Sequence, residues 1–271
     1  MKKQLNLNDD CDYYSNEANW QFMSVSQLKD YMHCEAQAQA KLEEKWQPAE
    51  DKTALLVGNY VHSYFESKKS HQKFIEDHQE ELYTKRKPIK LYKDFEAADR
   101  MIDRIKQDDF FKYLWQGEHE VPVTGELFGT LWKGKIDLLN IEKGYFVDLK
   151  TTAILDKRFW NDRYCTYVSF VEHYGYAIQI AIYERLLEMQ YGKPFTGYIY
   201  AVTKQDVPDI AAIEIEDYLK EFELSEVERV MDHILAVKAG KEDPEMCGKC
   251  EFCREYKRLD KFITPEALIG R

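Results

Sequence analysis

The 271-residue sequence predicts an α/β protein, with a mixed central sheet flanked by helices. Three observations predict it. The chain from about residue 21 to 115 reads as a succession of helices. Between Glu118 and Thr151 the pattern changes to runs of β-formers punctuated by Gly125, Gly134 and Gly144. A strand, a long helix and a second strand follow, and such a crossover makes its two strands parallel.

The elements follow in chain order. Residues 1–20 are Asn- and Asp-rich and are expected to form a loosely held N-terminal arm, with 21–271 a single domain. Within it the helical part spans about 21–115, the sheet core about 116–216, and a C-terminal helix with a cysteine cluster about 217–271. Ser24 is placed to cap a first helix, because Leu28, Tyr31 and Met32 follow at spacings of three and four; this helix is expected to run to about Lys45. A second helix covers Thr53 to Ser67, and charge-rich helical sequence continues from Lys69 to Leu114. Four strands are expected at Glu118–Thr124, Glu126–Trp132, Lys135–Ile141 and Tyr145–Thr151, with Lys143-Gly144 a tight turn. Next come an aromatic loop from Arg158 to Tyr167 and a helix from about His173 to Tyr191, ended by Gly192 and Pro194. Strands at Phe195–Thr203 and Ile210–Ile215 and a helix from Asp217 to Ala239 complete the order.

Composition bounds the function. The formal net charge of −11 argues against generic nucleic-acid binding, which depends on Lys and Arg. It does not exclude a carboxylate centre that takes its positive charge from bound cations. The run Lys85-Arg86-Lys87-Pro88-Ile89-Lys90-Leu91-Tyr92-Lys93 fits a solvated loop face at least as well as a phosphate contact. The chain has no apolar run long enough to span a membrane and no signal-peptide pattern, so a cytoplasmic protein with no membrane partner is expected. In that compartment disulfides are not expected, and three of the six cysteines, Cys247, Cys250 and Cys253, lie within seven residues, which suggests metal ligation.

The chemistry concentrates in Gly134-Lys135-Ile136-Asp137 and Asp148-Leu149-Lys150. On paired strands Asp137 and Asp148 can face one pocket, and the period of two returns Lys150 to the side of Asp148. Two close carboxylates need a cation between them, and Mg²⁺ accepts such oxygen ligands. A lysine beside the ion can orient the attacking water or stabilise phosphate charge. Taken alone, D-x-K is more often a solvated surface pattern. Two helical segments add weight. Gly58 to His62 places a histidine one turn from Glu66, and Gln179 shares a face with Tyr183 on an otherwise apolar helix. A buried Gln there needs a polar partner.

Together the four segments resemble the RecB-type branch of the PD-(D/E)XK nucleases. That branch shows G-x-x-x-H, G-x-[IV]-D, a hydrophobic D-x-K strand and Q-x-x-x-Y, all present here in that order, with Ile136 in place of the proline. The resemblance implies a restriction-endonuclease-like core. It implies that His62, Asp137, Asp148 and the Leu149 carbonyl hold Mg²⁺ or Mn²⁺, that Lys150 is catalytic, and that Gln179 and Tyr183 support the site. Within the branch the chain is similar to phage RecE-like (exodeoxyribonuclease VIII type) proteins. This similarity implies an exonuclease on linear duplex DNA, a single-strand annealing partner protein and a homo-oligomer. A non-catalytic DNA-end-binding module is the alternative outside enzymes.

The cysteines add a second resemblance. Ser24 to Cys34 and Cys247-x₂-Cys250-x₂-Cys253 resemble the one N-terminal and three C-terminal cysteines of AddB and CRISPR-associated iron–sulphur nucleases. It implies a [4Fe–4S] cluster on Cys34, Cys247, Cys250 and Cys253, and a single-strand or structure-specific nuclease as the runner-up function. The last gap is short for that pattern, and Glu35 stands where proline is common. Four thiolates equally suit zinc. Cys11 and Cys165 have no partner spacing. The aromatic loop Phe159-Trp160-Asn161-Asp162-Arg163-Tyr164, preceded by Lys157-Arg158, has the composition to stack unpaired bases or simply to cover the core.

Overall fold

The computed structural model describes residues 5–49 and 52–266. The chain divides into two compact units. The first comprises 1–50, 124–133 and 224–271, and the second 51–123 and 134–223.

In the first unit the expected arm carries two short helices, α1 (Asp10–Tyr13) and α2 (Asn16–Gln21), capped by the side chains of Asp9 and Ser15. Tyr13 and Ala18 are buried, so this stretch is fixed by packing and not loosely held. Ser24 caps α3 (Val25–His33), its hydroxyl accepting the Gln27 N–H. The single helix expected to Lys45 is broken at Cys34, whose backbone is extended (φ −164°), and resumes as α4 (Glu35–Leu42). The break turns the Cys34 thiol toward the other cysteines, which helical periodicity alone cannot anticipate. Two buried lysines fasten this unit. Lys238 Nζ donates to Asn19 O (2.7 Å), Phe22 O (3.0 Å) and Gln27 Oε1 (3.0 Å), and Lys133 Nζ donates to Tyr13 O and Asn19 Oδ1.

The second unit opens with helices α5 (Thr53–Glu66), α6 (Lys68–Asp77), α7 (Gln79–Leu82), α8 (Lys93–Gln107) and α9 (Asp109–Leu114). The basic run lies in the exposed loop between α7 and α8, closed at its base by a Tyr83–Leu91 bridge. Strands β1 (Glu118–Leu127), β2 (Thr130–Asn140) and β3 (Tyr145–Thr152) replace the four expected strands. Gly125 and Gly134 are interior to strands, and the turn falls at Phe128-Gly129, with φ of +50° and +73°. Gly134 serves packing: a Cβ there would lie 2.5 Å from Tyr183 Cε1. The aromatic loop contains a small hairpin, β4 (Phe159–Asn161) and β5 (Thr166–Val168). Then come α10 (Phe170–His173), α11 (Tyr176–Tyr191), β6 (Thr196–Thr203), β7 (Ile210–Glu214) and α12 (Asp217–Lys238), while α13 (Glu251–Glu255) belongs to the first unit. Strands β1 and β2 and helix α12 contribute residues to both units.

The main sheet has the order β1-β2-β3-β6-β7. β3 pairs antiparallel with β2 and parallel with β6 across α11, and β6 pairs antiparallel with β7. This is the mixed sheet the sequence predicts. Alternation along β3 sorts its side chains. Tyr145, Val147 and Leu149 join Val57, Val61, Met101, Ile105 and Phe111 in one core under α5, α8 and α9. Phe146, Asp148 and Lys150 face α11, where Ile180 seats against Gly197 and Tyr183 against Gly134.

Candidate active site and cysteine centre

The pairing of β2 with β3 runs from Asn140↔Tyr145 to Leu138↔Val147. Two residues further, the Leu149 N–H goes to Asp137 Oδ2 at 2.8 Å. A carboxylate thus takes over where the ladder ends, and the strand ends form a polar pocket. Lys150 Nζ stands 2.6 Å from Asp148 Oδ2, and Gln179 Nε2 donates to Asp148 Oδ1 at 2.7 Å. Gln179 therefore has the polar partner its place on an apolar helix requires. His62 Nδ1, from α5, lies 3.4 Å from Asp137 Oδ2.

The electrostatics follow from burial. For Asp148, burial and then the charge of Asp137 outweigh Lys150, so its carboxyl is raised above the ordinary value. Burial also acts on Asp137, but His62, Lys150 and the Leu149 N–H hold it low. His62 and Lys150 are both raised, because neighbouring carboxylates outweigh burial. Two buried carboxylates beside an imidazole are a donor set that suits a hard divalent cation.

The structure brings together His62, Asp137, Asp148, Leu149, Lys150 and Gln179. The ring of Tyr183 covers Gly134, three residues before Asp137 on β2. Gly58 lies near β3 with room to spare, since a Cβ there would sit 3.6 Å from Thr151 Oγ1. Two further residues join the site. The ammonium of Lys150 lies 4.9 Å from the centre of the Tyr176 ring. Glu120, on β1, has φ +53° and lies 3.5 Å from Lys135 Nζ. Burial, and then Asp137 and Glu66, push Glu120 up to about 7 against the pull of Lys135. A lone Glu in a strand carries no sequence signal. Tyr176 stands three residues before Gln179, on the same helix face, and that spacing could have found it.

In the first unit Cys34, Cys247, Cys250 and Cys253 converge, with sulphurs all within 4.8 Å of one another. Cys34 Sγ is 3.5 Å and Cys247 Sγ 3.8 Å from Cys253 Sγ. The turn through Gly248 (φ +75°) aims the Lys249 and Cys250 N–H groups at Cys247 Sγ, at 3.5 and 3.3 Å. Burial acts upward on Cys247, yet those N–H groups bring it down to about 7, whereas burial pushes Cys250 up to about 12. Four sulphurs gathered this closely form a donor set that fits a metal ion. Cys11 and Cys165 are exposed and stand outside this cluster.

This fold is that of a PD-(D/E)XK-type domain. The chain belongs to the family described as "PDDEXK-like domain of unknown function (DUF3799)", whose model matches residues 24–256. A crystal structure of a "Putative exonuclease" from Eubacterium rectale superposes with a TM-score of 0.88 at 37% identity, over 98% of each chain. That of SSO0001 gives a TM-score of 0.31 at 15% identity, over 84% of this chain and 91% of that one, too distant to carry an argument. No curated protein matches. Among the described residues no helix is long and apolar enough to cross a membrane.

Proposed function

We propose that the protein is a divalent-metal-dependent deoxyribonuclease, acting as an exonuclease on linear double-stranded DNA ends. Its setting would be phage recombination or DNA processing, upstream of a single-strand annealing protein. One observation carries the reading: two buried carboxylates, Asp137 and Asp148, share one site with the Lys150 ammonium and the His62 imidazole. Asp137, Asp148, His62 and the Leu149 carbonyl would hold Mg²⁺ or Mn²⁺. When bound, such an ion supplies Lewis acidity and neutralises phosphate charge. Gln179 fixes the orientation of Asp148, and His62 that of Asp137. Lys150, kept protonated by the two aspartates, is suited to stabilise charge developing on the phosphate more than to accept a proton from water. The match to a "Putative exonuclease" supports the exonuclease reading.

The test is digestion of end-labelled linear duplex and of closed circular DNA, with and without Mg²⁺. Metal-dependent loss of linear DNA alone is expected. Cleavage of the circle would overturn the exonuclease assignment, and no metal-dependent cleavage of any DNA would overturn the nuclease reading.

The cysteine centre bears on a second reading, a single-strand or structure-specific nuclease of the CRISPR-associated iron–sulphur type. Spacing bears on which metal it takes. The four thiolates around a [4Fe–4S] cube must stand about 6 Å apart, because each caps a different iron. Around one tetrahedral zinc, with Zn–S of about 2.3 Å, they stand about 3.8 Å apart. Sulphur separations of 3.5 and 3.8 Å, with none above 4.8 Å, suit the single ion. Zinc is therefore the preferred occupant, in a structural role.

A further inference from the structure

Between the D-x-K strand and α11 lies the β4–β5 hairpin, which the chemistry above leaves without a role. Its register pairs Phe159 with Val168, Trp160 with Tyr167 and Asn161 with Thr166. Alternation sends these side chains to two faces. On the inner face Val168 is buried, and Phe159 stacks on His173 at 4.1 Å with 16° between the rings. On the outer face Trp160 and Tyr167 lie opposite one another, 5.4 Å between ring centroids, and are 53% and 62% exposed. The Arg158 guanidinium lies 5.8 Å from the Tyr167 ring, and the Lys157 ammonium 4.8 Å from the Phe159 ring.

The hairpin is tied to the catalytic lysine by rings. Phe159 meets Tyr174 at 5.7 Å, Tyr174 meets Tyr176 at 5.9 Å, and Lys150 lies 4.9 Å from Tyr176. Tyr174, midway, is 46% exposed. The tip is held as well: Arg163 pairs with the buried Glu223 at 2.6 Å, and the Tyr164 hydroxyl donates to the same carboxylate. The exposed rings are therefore presented on a braced support, which lowers the ordering cost of binding.

A cross-strand aromatic pair also stabilises a small hairpin on its own account. That role does not require flanking cations or an aromatic path to the acids. Rings that offer a π face next to cations match nucleotides whose bases are free to stack, and bases within a duplex are not. We propose that the hairpin and Tyr174 form a track for single-stranded DNA. Unpaired bases stack on Trp160, Tyr167 and Tyr174, Lys157 and Arg158 meet phosphates, and the strand leads into the pocket at Lys150. The inference rests on the nuclease reading for the nucleic acid involved, and it makes the DNA segment entering the site an unpaired one.

The test measures binding without cleavage. Fluorescence anisotropy with labelled oligothymidine and with a blunt duplex of equal length is recorded on the full chain without added Mg²⁺ or Mn²⁺. The double variant Trp160→Val/Tyr167→Ile keeps β-forming residues in the hairpin but removes both π faces. Its affinity for oligothymidine should fall roughly tenfold or more, with duplex binding much less affected, while Trp160→Phe retains most of the wild-type affinity. Lys157→Gln/Arg158→Gln should reduce the slope of log affinity against log salt by about 1.4, at about 0.7 per phosphate contact. Circular dichroism and thermal melting establish that each variant is folded; if the double variant is not, Trp160→Phe and the lysine/arginine pair decide. Unchanged oligothymidine binding, or equal losses for single strand and duplex, would overturn the track. Because the readout needs no cleavage, a wild type that cuts DNA with an unchanged double variant sinks the track alone. A wild type that cuts no DNA sinks the nuclease reading instead.

Discussion

Two glycines that the motifs place in equivalent-looking roles should respond oppositely to alanine. At Gly134 an added methyl would sit 2.5 Å from Tyr183 Cε1 and 2.9 Å from Cζ, inside any tolerable contact. The ring is the obstacle, so Tyr183→Phe brings no relief. Either α11 withdraws from β2 or β2 shifts, and β2 carries Asp137 three residues on. Overpacking of this kind costs about 1–3 kcal/mol. At Gly58 the nearest atom would be Thr151 Oγ1 at 3.6 Å, an ordinary contact, and the residue is inside α5. Alanine there should stabilise by about 0.5–1 kcal/mol through helix propensity. Urea unfolding of Gly134→Ala, Gly58→Ala, Tyr183→Leu and the double variant Gly134→Ala/Tyr183→Leu measures both effects. Removing the ring should make Gly134→Ala cheaper by more than about 1 kcal/mol, a coupling that a double-mutant cycle isolates. Additive losses, or a Gly134→Ala protein as stable as wild type, would refute the packing argument. A destabilising Gly58→Ala would refute its counterpart.

Four further outcomes are expected. Asp137→Ala, Asp148→Ala and Lys150→Ala should each abolish DNA cleavage with the circular dichroism spectrum retained, and combining them should add little, since they act as a unit; an active Asp148→Ala protein would end the assignment. His62→Ala should raise the Mg²⁺ concentration for half-maximal activity, and a wild-type titration would reduce His62 to packing. Glu120 is raised to about 7, so between pH 4.5 and 7 the folded metal-free protein holds a proton that the unfolded chain has released. Stability should therefore fall as pH rises through that window, by about 2 kcal/mol after discounting for partial exposure, and Glu120→Gln should flatten the slope in urea titrations at several pH values. Purified protein should carry about one zinc per chain, lost in Cys250→Ser with a lower melting temperature. Brown protein with about four irons would overturn zinc in favour of the cluster, and a folded, metal-free protein would overturn both.

Strand and helix identities were largely legible because they rest on local pattern. The β-rich run after Glu118, the βαβ order around α11 and the helix stop at Gly192 all come from periodicity and glycine placement. The sequence also determined the order of Asp137, Asp148 and Lys150, since a period of two returns Lys150 to the Asp148 side whatever surrounds the strand. It marked Gln179 as needing a polar partner but could not name Asp148. Three things were decided only in tertiary structure, by contacts between residues far apart in the chain. Gly134 looked like a turn because glycine is permissive, yet what holds it is the ring of Tyr183 from another element. The helix break at Cys34 looked like uninterrupted helix because the cysteines its thiol meets lie more than two hundred residues later in the chain. Glu120 joins the pocket through a left-handed backbone conformation that no local pattern encodes, and its raised carboxyl exists only because burial and other acids surround it.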